Sequence, residues 1–303
     1  MKCRVCGKKA EVHLHYLKMH LCREHFTAYF ERKVERTIKK HRMLTPDDRT
    51  LVAVSGGKDS AALIYLLKKL GYGIGCLHIN LGIGEYSKKS EEYVRKQCGL
   101  VDVQLNVVDL KKNLGKSVDE VKGSRPTCSV CGTTKRYILN RFAYENGFNV
   151  VATGHNLDDE SAFVFSNIMN WSTEYLGKQG PVLSGEGKFV KRIKPFYEVT
   201  EQEITDYALS IGIEYLTGRC PLSKGATVPR YKHVLDEMEK KRRGTKINFI
   251  KGFLRKKHLF EAEISMFSPK ECKVCSMPAQ GERCAFCKIW GLEEATSFLT
   301  ATL

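Results

Sequence analysis

The sequence predicts an α/β protein, a doubly wound parallel sheet with a small metal-binding module at each end. Three observations carry that prediction. Short apolar runs alternate with helical stretches through the middle of the chain, beginning with Leu51–Val54 and Ile74–Leu81, the pattern of parallel strands joined by crossover helices. Leu51–Val54 breaks at Ser55-Gly56-Gly57-Lys58-Asp59-Ser60 and gives way to the helical run Ala61–Leu70. A strand, a glycine turn and a helix N-terminus aim unpaired backbone N–H groups at one point and so make a phosphate cradle. Ten of the twelve cysteines fall into three clusters with metal-ligand spacing, and the outer two lie at the chain ends.

Composition narrows the function. With 42% hydrophobic and 28% charged residues, the 303-residue chain is that of an ordinary globular protein. It has no apolar run long enough for a membrane span and no signal-peptide pattern. Clustered rather than evenly paired cysteines favour metals over disulfides, and a cytoplasmic location. Lys and Arg number 50 against 34 acids, a formal charge of +16. Two zinc ions on seven thiolates leave about +13. Such a surplus points to a polyanion partner, with nucleic acid the usual one.

In chain order, Cys3-x-x-Cys6 and Cys22-x-x-His25 are two chelating pairs that predict one structural zinc with four protein ligands. His13, His15 and His20 lie between them as competitors for the fourth position. His25 is favoured because its spacing repeats the knuckle. Phe26, Phe30, Val34 and Ile38 recur every fourth residue and predict one helix face, with Arg32, Lys33, Arg36, Lys39, Lys40 and Arg42 around the rest. Those cations suit either solvent or a phosphate backbone. Thr45–Asp48 is a turn.

After the glycine turn, Ile74–Leu81, Val103–Leu110 and Asn149–Gly154 predict the next strands, with helix around Ser87–Cys98. Ligands of such sheets sit at the C-terminal strand ends. Cys76 and Cys98 lack spaced partners and are expected to pack. Cys128-x-x-Cys131 has no second pair nearby, and Cys220 stands alone about ninety residues on. Spacing allows a redox disulfide with a third thiol, an incomplete zinc site, or a cubane cluster with one open iron. Lys135 is expected one turn into a helix beginning near Gly132, aimed at the phosphate pocket. Asp158, Asp159 and Glu160 open another helix at a strand end, where acids also suit the helix dipole. Thr200-x-x-Glu203 is a capping box before a packing helix that needs no chemistry. Lys240–Arg243 and Lys251–Lys257, with Phe249, Phe253 and Phe260 interleaved, suggest RNA contact. Cys272-x-x-Cys275 and Cys284-x-x-Cys287 form a four-cysteine zinc ribbon. The expected units are 1–45, 46–222, 223–268 and 269–303.

Ser-Gly-Gly-Lys-Asp-Ser at 55–60 resembles the PP-loop of ATP pyrophosphatases. It is not a Walker A loop, which needs four residues between its glycine and its Gly-Lys pair. With Cys128-x-x-Cys131, the distant Cys220 and the terminal zinc motifs, the chain resembles the TtuA/TtcA superfamily of tRNA thiolation enzymes, on the TtuA side, from Cys3 to Cys287. The resemblance implies a Rossmann-like PP-loop fold. It implies ATP with Mg²⁺ at Ala53, Ser55, Gly56, Gly57, Asp59, Ser60, Ile79, Lys135 and Gly154, and a [4Fe-4S] cluster on Cys128, Cys131 and Cys220 with one iron not bound by protein. Asp59, Lys135 and Asp159 would be catalytic, while Lys58, at a variable position of the loop motif, is not carried as such.

The implied reaction adenylates the C2 oxygen of a tRNA uridine and replaces it with sulfur, giving 2-thiouridine. Position 54 is the expected target, with wobble position 34 as the alternative. Sulfur would come from a ubiquitin-like thiocarboxylate carrier or free sulfide, and a homodimer is expected. A PP-loop amidotransferase or ligase that does not thiolate, or a metal-dependent RNA-binding protein without catalysis, are the rival readings.

Overall fold

The structure, a computed structural model, describes residues 1–223, 227–261, 270–296, 298 and 301–302. It begins with a hairpin of β1 (Val12–Leu14) and β2 (Met19–Leu21), followed by α1 (Arg23–Lys40). Phe26, Phe30, Val34 and Ile38 on α1 are wholly buried, on one face as their spacing requires. They join the same core as Val52, Leu63, Leu66 and Tyr207, and Phe30 stacks on Tyr207 with ring centroids 4.1 Å apart. Packing thus runs across the boundary placed after residue 45.

The chain continues through β3 (Thr50–Val54), α2 (Lys58–Lys69), β4 (Ile74–Asn80), α3 (Gly84–Leu100), β5 (Leu105–Asp109) and the short α4 (Leu110–Leu114). Helix α5 (Thr127–Glu145) starts five residues before the expected Gly132, because Pro126 can occupy its N-cap without needing a hydrogen bond. This correction places Cys128, Cys131 and Lys135 at i, i+3 and i+7 along one helix, so they share a face. Val130, Thr134, Ile138 and Phe142 form the buried face. Then come β6 (Val150–Ala152), α6 (Leu157–Met169), α7 (Thr173–Gly177), β7 (Val182–Leu183) and β8 (Lys191–Ile193). The last two strands gave no sequence signal: β7 has two residues, and charged Lys191 and Arg192 interrupt β8. Helix α8 (Glu201–Ile211) opens with the foreseen Thr200/Glu203 capping box. The remaining elements are α9 (Val228–Lys241), α10 (Thr245–Lys256), β9 (Lys270–Glu271), β10 (Pro278–Ala279), α11 (Ala285–Trp290) and β11 (Ala301–Thr302).

The main sheet has the order β11-β5-β4-β3-β6-β8-β7, with β5, β4, β3, β6 and β8 parallel and the two edge strands antiparallel. From β3 the chain moves outward through β4 to β5, then returns to place β6 on the other side of β3. The direction of winding therefore reverses beside β3, and the crevice at that reversal is where sheets of this kind hold ligands.

On α10, Ile250 and Phe253 are buried with Leu157, Val164 and Tyr197, and Phe249 and Phe260 pack against them. The aromatics of this basic stretch serve the core, and its outward face is cationic. The boundary placed at 268/269 lies outside the described residues. No described helix is long and apolar enough to cross a membrane.

Candidate active site

The loop after β3 is shaped by its glycines. Gly56 has φ +75°, and a Cβ there would lie 2.7 Å from the carbonyl oxygen of Ser90. Ser90 Oγ donates to the Ser55 carbonyl at 2.9 Å, while Ser55 N–H donates to Ser60 Oγ at 3.2 Å. These bonds fix the loop and leave the N-terminus of α2 open, since its N-cap Gly57 supplies no side chain. An open helix start with uncapped N–H groups is an anion site.

Two carboxylates flank it. Asp59 sits in the first turn of α2 and accepts a hydrogen bond from Asn156 Nδ2 at 3.1 Å. Asn156 also caps α6, accepting from the N–H groups of Asp158 and Asp159, while Asp159 Oδ2 accepts from Asn156 N–H at 3.2 Å. The strand end feeding α6 comes close to α2: a Cβ on Gly154 would lie 3.1 Å from the Asp59 carbonyl carbon. Burial pushes the Asp59 carboxyl up; the Lys58 ammonium pulls it down, and Asp159 pushes it up again.

The three acids opening α6 have separate fates. Asp158 is buried against Lys246 and accepts from Glu201 N–H at 2.7 Å. Glu160 is buried against Lys194 at 2.6 Å. Those two hold the fold together, and Asp159 is the one left toward the loop. Its Oδ1 meets Lys232 of α9 at 2.5 Å. Lys232 also reaches Glu201 Oε2 at 3.1 Å, and Lys58 reaches Glu201 Oε1 at 2.9 Å. Glu201 and Lys232 were not among the sequence candidates. The one available signal was the capping box, which places Glu201 in the first turn of α8 with a side chain not used for capping.

The three central cysteines converge from α5 and from the segment after α8. Burial raises the Cys131 thiol; Lys135 lowers it, and both Cys220 and Cys128 raise it, so the other two thiols lie near enough to act on Cys131. Tyr86 of α3, raised chiefly by burial, also feels Cys220 and Cys131. Cys128 Sγ donates to the Leu222 carbonyl at 3.5 Å, which folds the chain after Cys220 back onto α5. The thiols are not gathered as tightly as four ligands of a single ion, among the described residues. Neighbouring but wider-set thiols suit an inorganic core with several metal atoms rather than one zinc.

This trio is tied to the loop. Leu216, four residues before Cys220, donates its N–H to the Gly56 carbonyl at 2.9 Å. Gln97 Nε2 clamps both pieces, donating to the carbonyls of Gly56 and Glu214 at 3.0 and 2.9 Å. Lys135 follows Cys131 by one turn of α5, and its charge bears on Cys131 and on His78 of β4. Ala53 of β3 and Ile79 of β4 stand at the C-terminal ends of their strands, beside the crevice. Cys76 and Cys98 are buried packing residues, as expected.

At the N-terminal end, Cys3, Cys6, Cys22 and His25 bring their ligand atoms within 4.8 Å of one another. Cys6 and Cys22 sulfurs are 3.8 Å apart and Cys3 Sγ is 3.7 Å from His25 Nδ1, close to the edge of a tetrahedron with Zn–S bonds of about 2.3 Å. Burial opposes ionisation of Cys3, but N–H groups of Cys22, Cys6 and Val5 bring its thiol down to about 6. His13 instead stacks on His20, with centroids 3.8 Å apart, and meets His15 at a tilt with centroids 4.0 Å apart. Cys272, Cys275, Cys284 and Cys287 are gathered and buried likewise. Cys272 accepts from Cys284 N–H at 3.2 Å. Burial also opposes its ionisation, yet N–H groups of Cys284, Cys275 and Val274 bring it to about 6. Both sets fit a structural zinc.

Comparison with known proteins agrees with this architecture. Residues 26–220 match the PP-loop domain, and residues 2–27 match the N-terminal LIM domain of 2-thiouridine synthetase TtuA. A Pyrococcus horikoshii tRNA-5-methyluridine(54) 2-sulfurtransferase is 58% identical over 98% of this chain and 96% of its own length. The Thermus thermophilus protein of the same description is 47% identical over 96% of this chain and 91% of its own. The solved U34-tRNA thiolase NcsA from Methanococcus maripaludis, with its [4Fe-4S] cluster, superposes with a TM-score of 0.83 at 30% identity, covering 97% of this chain and 98% of that one. With the open phosphate loop and three thiols tethered to it, these matches show that the chain belongs to the PP-loop family, in the TtuA branch of tRNA 2-sulfurtransferases.

Proposed function

We propose that this chain is an ATP-dependent tRNA 2-sulfurtransferase that converts the uridine at position 54 to 2-thiouridine. The reading rests above all on the Leu216–Gly56 hydrogen bond, which fixes the thiol-bearing segment to the phosphate loop and so makes activation and sulfur delivery a single site. Position 54 is favoured over 34 because the relatives described as acting there are the more similar ones, at 58% and 47% against 30% for the U34 thiolase.

ATP lies with its phosphates on Ser55, Gly56, Gly57 and Ser60, at the open start of α2, and its base toward Ala53, Ile79 and Gly154. The uridine O2 attacks the α-phosphorus, pyrophosphate leaves, and the base carries AMP on that oxygen. Sulfur then adds at C2, the C–O bond breaks, and AMP departs with the original oxygen. Asp59 and Asp159, both bonded to Asn156, would hold Mg²⁺ on the leaving phosphates. Lys135, whose charge bears on Cys131 and His78, would neutralise charge developing on the α-phosphate. Cys128, Cys131 and Cys220 would hold a [4Fe-4S] cluster, whose iron without a protein ligand supplies a place for the incoming sulfur. The donor is a thiocarboxylate carrier or sulfide.

Zinc ions at both ends would keep the small modules folded. The exposed cations Lys240–Arg243 and Lys251 would meet tRNA phosphates, in a homodimer. A flipped-out base is required, since O2 and C2 are hidden in a stack.

The test is nucleoside mass spectrometry of tRNA from cells lacking the protein, with the anaerobically purified chain, ATP and sulfide added back. Loss and recovery of 2-thiouridine at position 54, with one AMP and one pyrophosphate per sulfur, supports the reading. Thiolation at 34 alone moves the target, and a chain that thiolates nothing removes the function.

A further inference from the structure

Around the mouth of the phosphate loop, six residues close a ring. Lys58 Nζ meets Asp59 Oδ2 at 3.2 Å and Glu201 Oε1 at 2.9 Å. Lys232 Nζ meets Glu201 Oε2 at 3.1 Å and Asp159 Oδ1 at 2.5 Å. Asn156 joins Asp159 back to Asp59, through its N–H at 3.2 Å and its side chain at 3.1 Å. Each oxygen of Glu201 therefore takes one lysine, and the two ammonium groups converge on a single small anion.

We propose that Glu201 is an internal counter-ion standing where nucleotide phosphate will compete, and that Lys232 is a pyrophosphate-binding residue delivered by α9. Two cations held on the two oxygens of one carboxylate have the spacing that two oxygens of a phosphate require. Lys58 is the first residue of α2, so this pair stands at the uncapped helix start where an anion already has reason to bind. Three carboxylates against two lysines leave the mouth negative without ligand. A polyphosphate with its divalent ion takes the lysines from Glu201 and gives the carboxylates a cation. Glu201, with 44% of its side chain exposed, can turn outward when that happens. Lys232 lies beyond residue 220, where the match to the PP-loop domain ends. The basic C-terminal region would thus complete the nucleotide site as well as face RNA.

The inference rests on the reading of Ser55–Ser60 as the phosphate site, and calorimetry with three probes separates the two. The full chain is titrated with Mg-ATP, Mg-pyrophosphate and AMP. Lys232→Met is expected to weaken ATP and pyrophosphate by about tenfold or more, the worth of one charged hydrogen bond, with AMP changed less than about twofold. Lys232→Arg keeps pyrophosphate within about threefold. Glu201→Gln is expected to tighten pyrophosphate, because the competitor for both lysines is gone. A purely structural clamp predicts the opposite sign, with Glu201→Gln and Lys232→Met both weakening all three ligands. That pattern, or unchanged pyrophosphate binding in both variants, overturns the assignment. A wild-type chain that binds neither ATP nor pyrophosphate overturns the phosphate-loop reading itself.

Discussion

Asn156 donates its side-chain amide to Asp59 Oδ1 at 3.1 Å, so the cap of α6 also holds a carboxylate of α2. One residue thus registers the two helix starts that face the crevice. Asn156→Ala removes a cap worth about 1 kcal/mol and frees Asp59 to rotate. ATP-dependent turnover should fall far more than stability does. Asp59→Ala should abolish turnover while iron content stays at the wild-type level. Pyrophosphate release and iron assay, read together with urea unfolding, check both.

Cys128→Ser, Cys131→Ser and Cys220→Ser should each lose visible absorbance and iron, and with them tRNA thiolation. ATP binding should persist in all three, since none of these residues belongs to the loop. Full thiolation in any one variant would remove the shared-cluster reading.

Gly56→Ala should be among the most damaging small substitutions. The added methyl group would enter the space of the Ser90 carbonyl oxygen at 2.7 Å, on a residue with φ +75°. Backbone strain of this kind costs about 1–3 kcal/mol, and the loop would have to move away from α3. A melting temperature lowered by several degrees, together with lost ATP binding, is the expected result.

Glu198 supplies the acid-sensitive contact. His41 at 3.1 Å and Lys40 at 2.5 Å outweigh its burial and hold its carboxyl down at about 2, below the ordinary 4.5. A carboxylate lowered on folding stabilises above its unfolded pKa, and that contribution is lost as pH falls through the folded one. Wild type should therefore exceed Glu198→Gln by about 1 kcal/mol at pH 6, allowing for solvent screening. The gap should shrink between pH 4.5 and 2. Urea titrations across that range measure it.

The glycine loop, the first parallel strands and both four-ligand metal sites were legible because each is written in consecutive residues or in fixed short spacings. What the sequence hid was long-range. Lys232 meets Asp159 across 73 positions and Glu201 across 31, and no local pattern distinguishes it from neighbouring lysines that face solvent. The start of α5 was placed late because Cys-Ser-Val-Cys-Gly has weak helix propensity, which burial of Val130 and Thr134 overrides. Phe253 stood among cations in a stretch that suggested RNA contact, yet its side chain is buried in the core with Leu157 and Val164 of α6.

The C-terminal ribbon leans on the helix that carries two of the central thiols. Trp290 Nε1 donates to Thr134 Oγ1 at 2.9 Å, and Phe286 stacks on Tyr137 at 3.9 Å. Thr134 sits less than one turn beyond Cys131. If the ribbon holds zinc and the central thiols hold a cluster, as proposed, removing the zinc would loosen the splint behind the thiol-bearing turns, and a zinc chelator should also make iron easier to lose. A metal held by Cys272, Cys275, Cys284 and Cys287 would thus also stiffen the helix that presents Cys128 and Cys131.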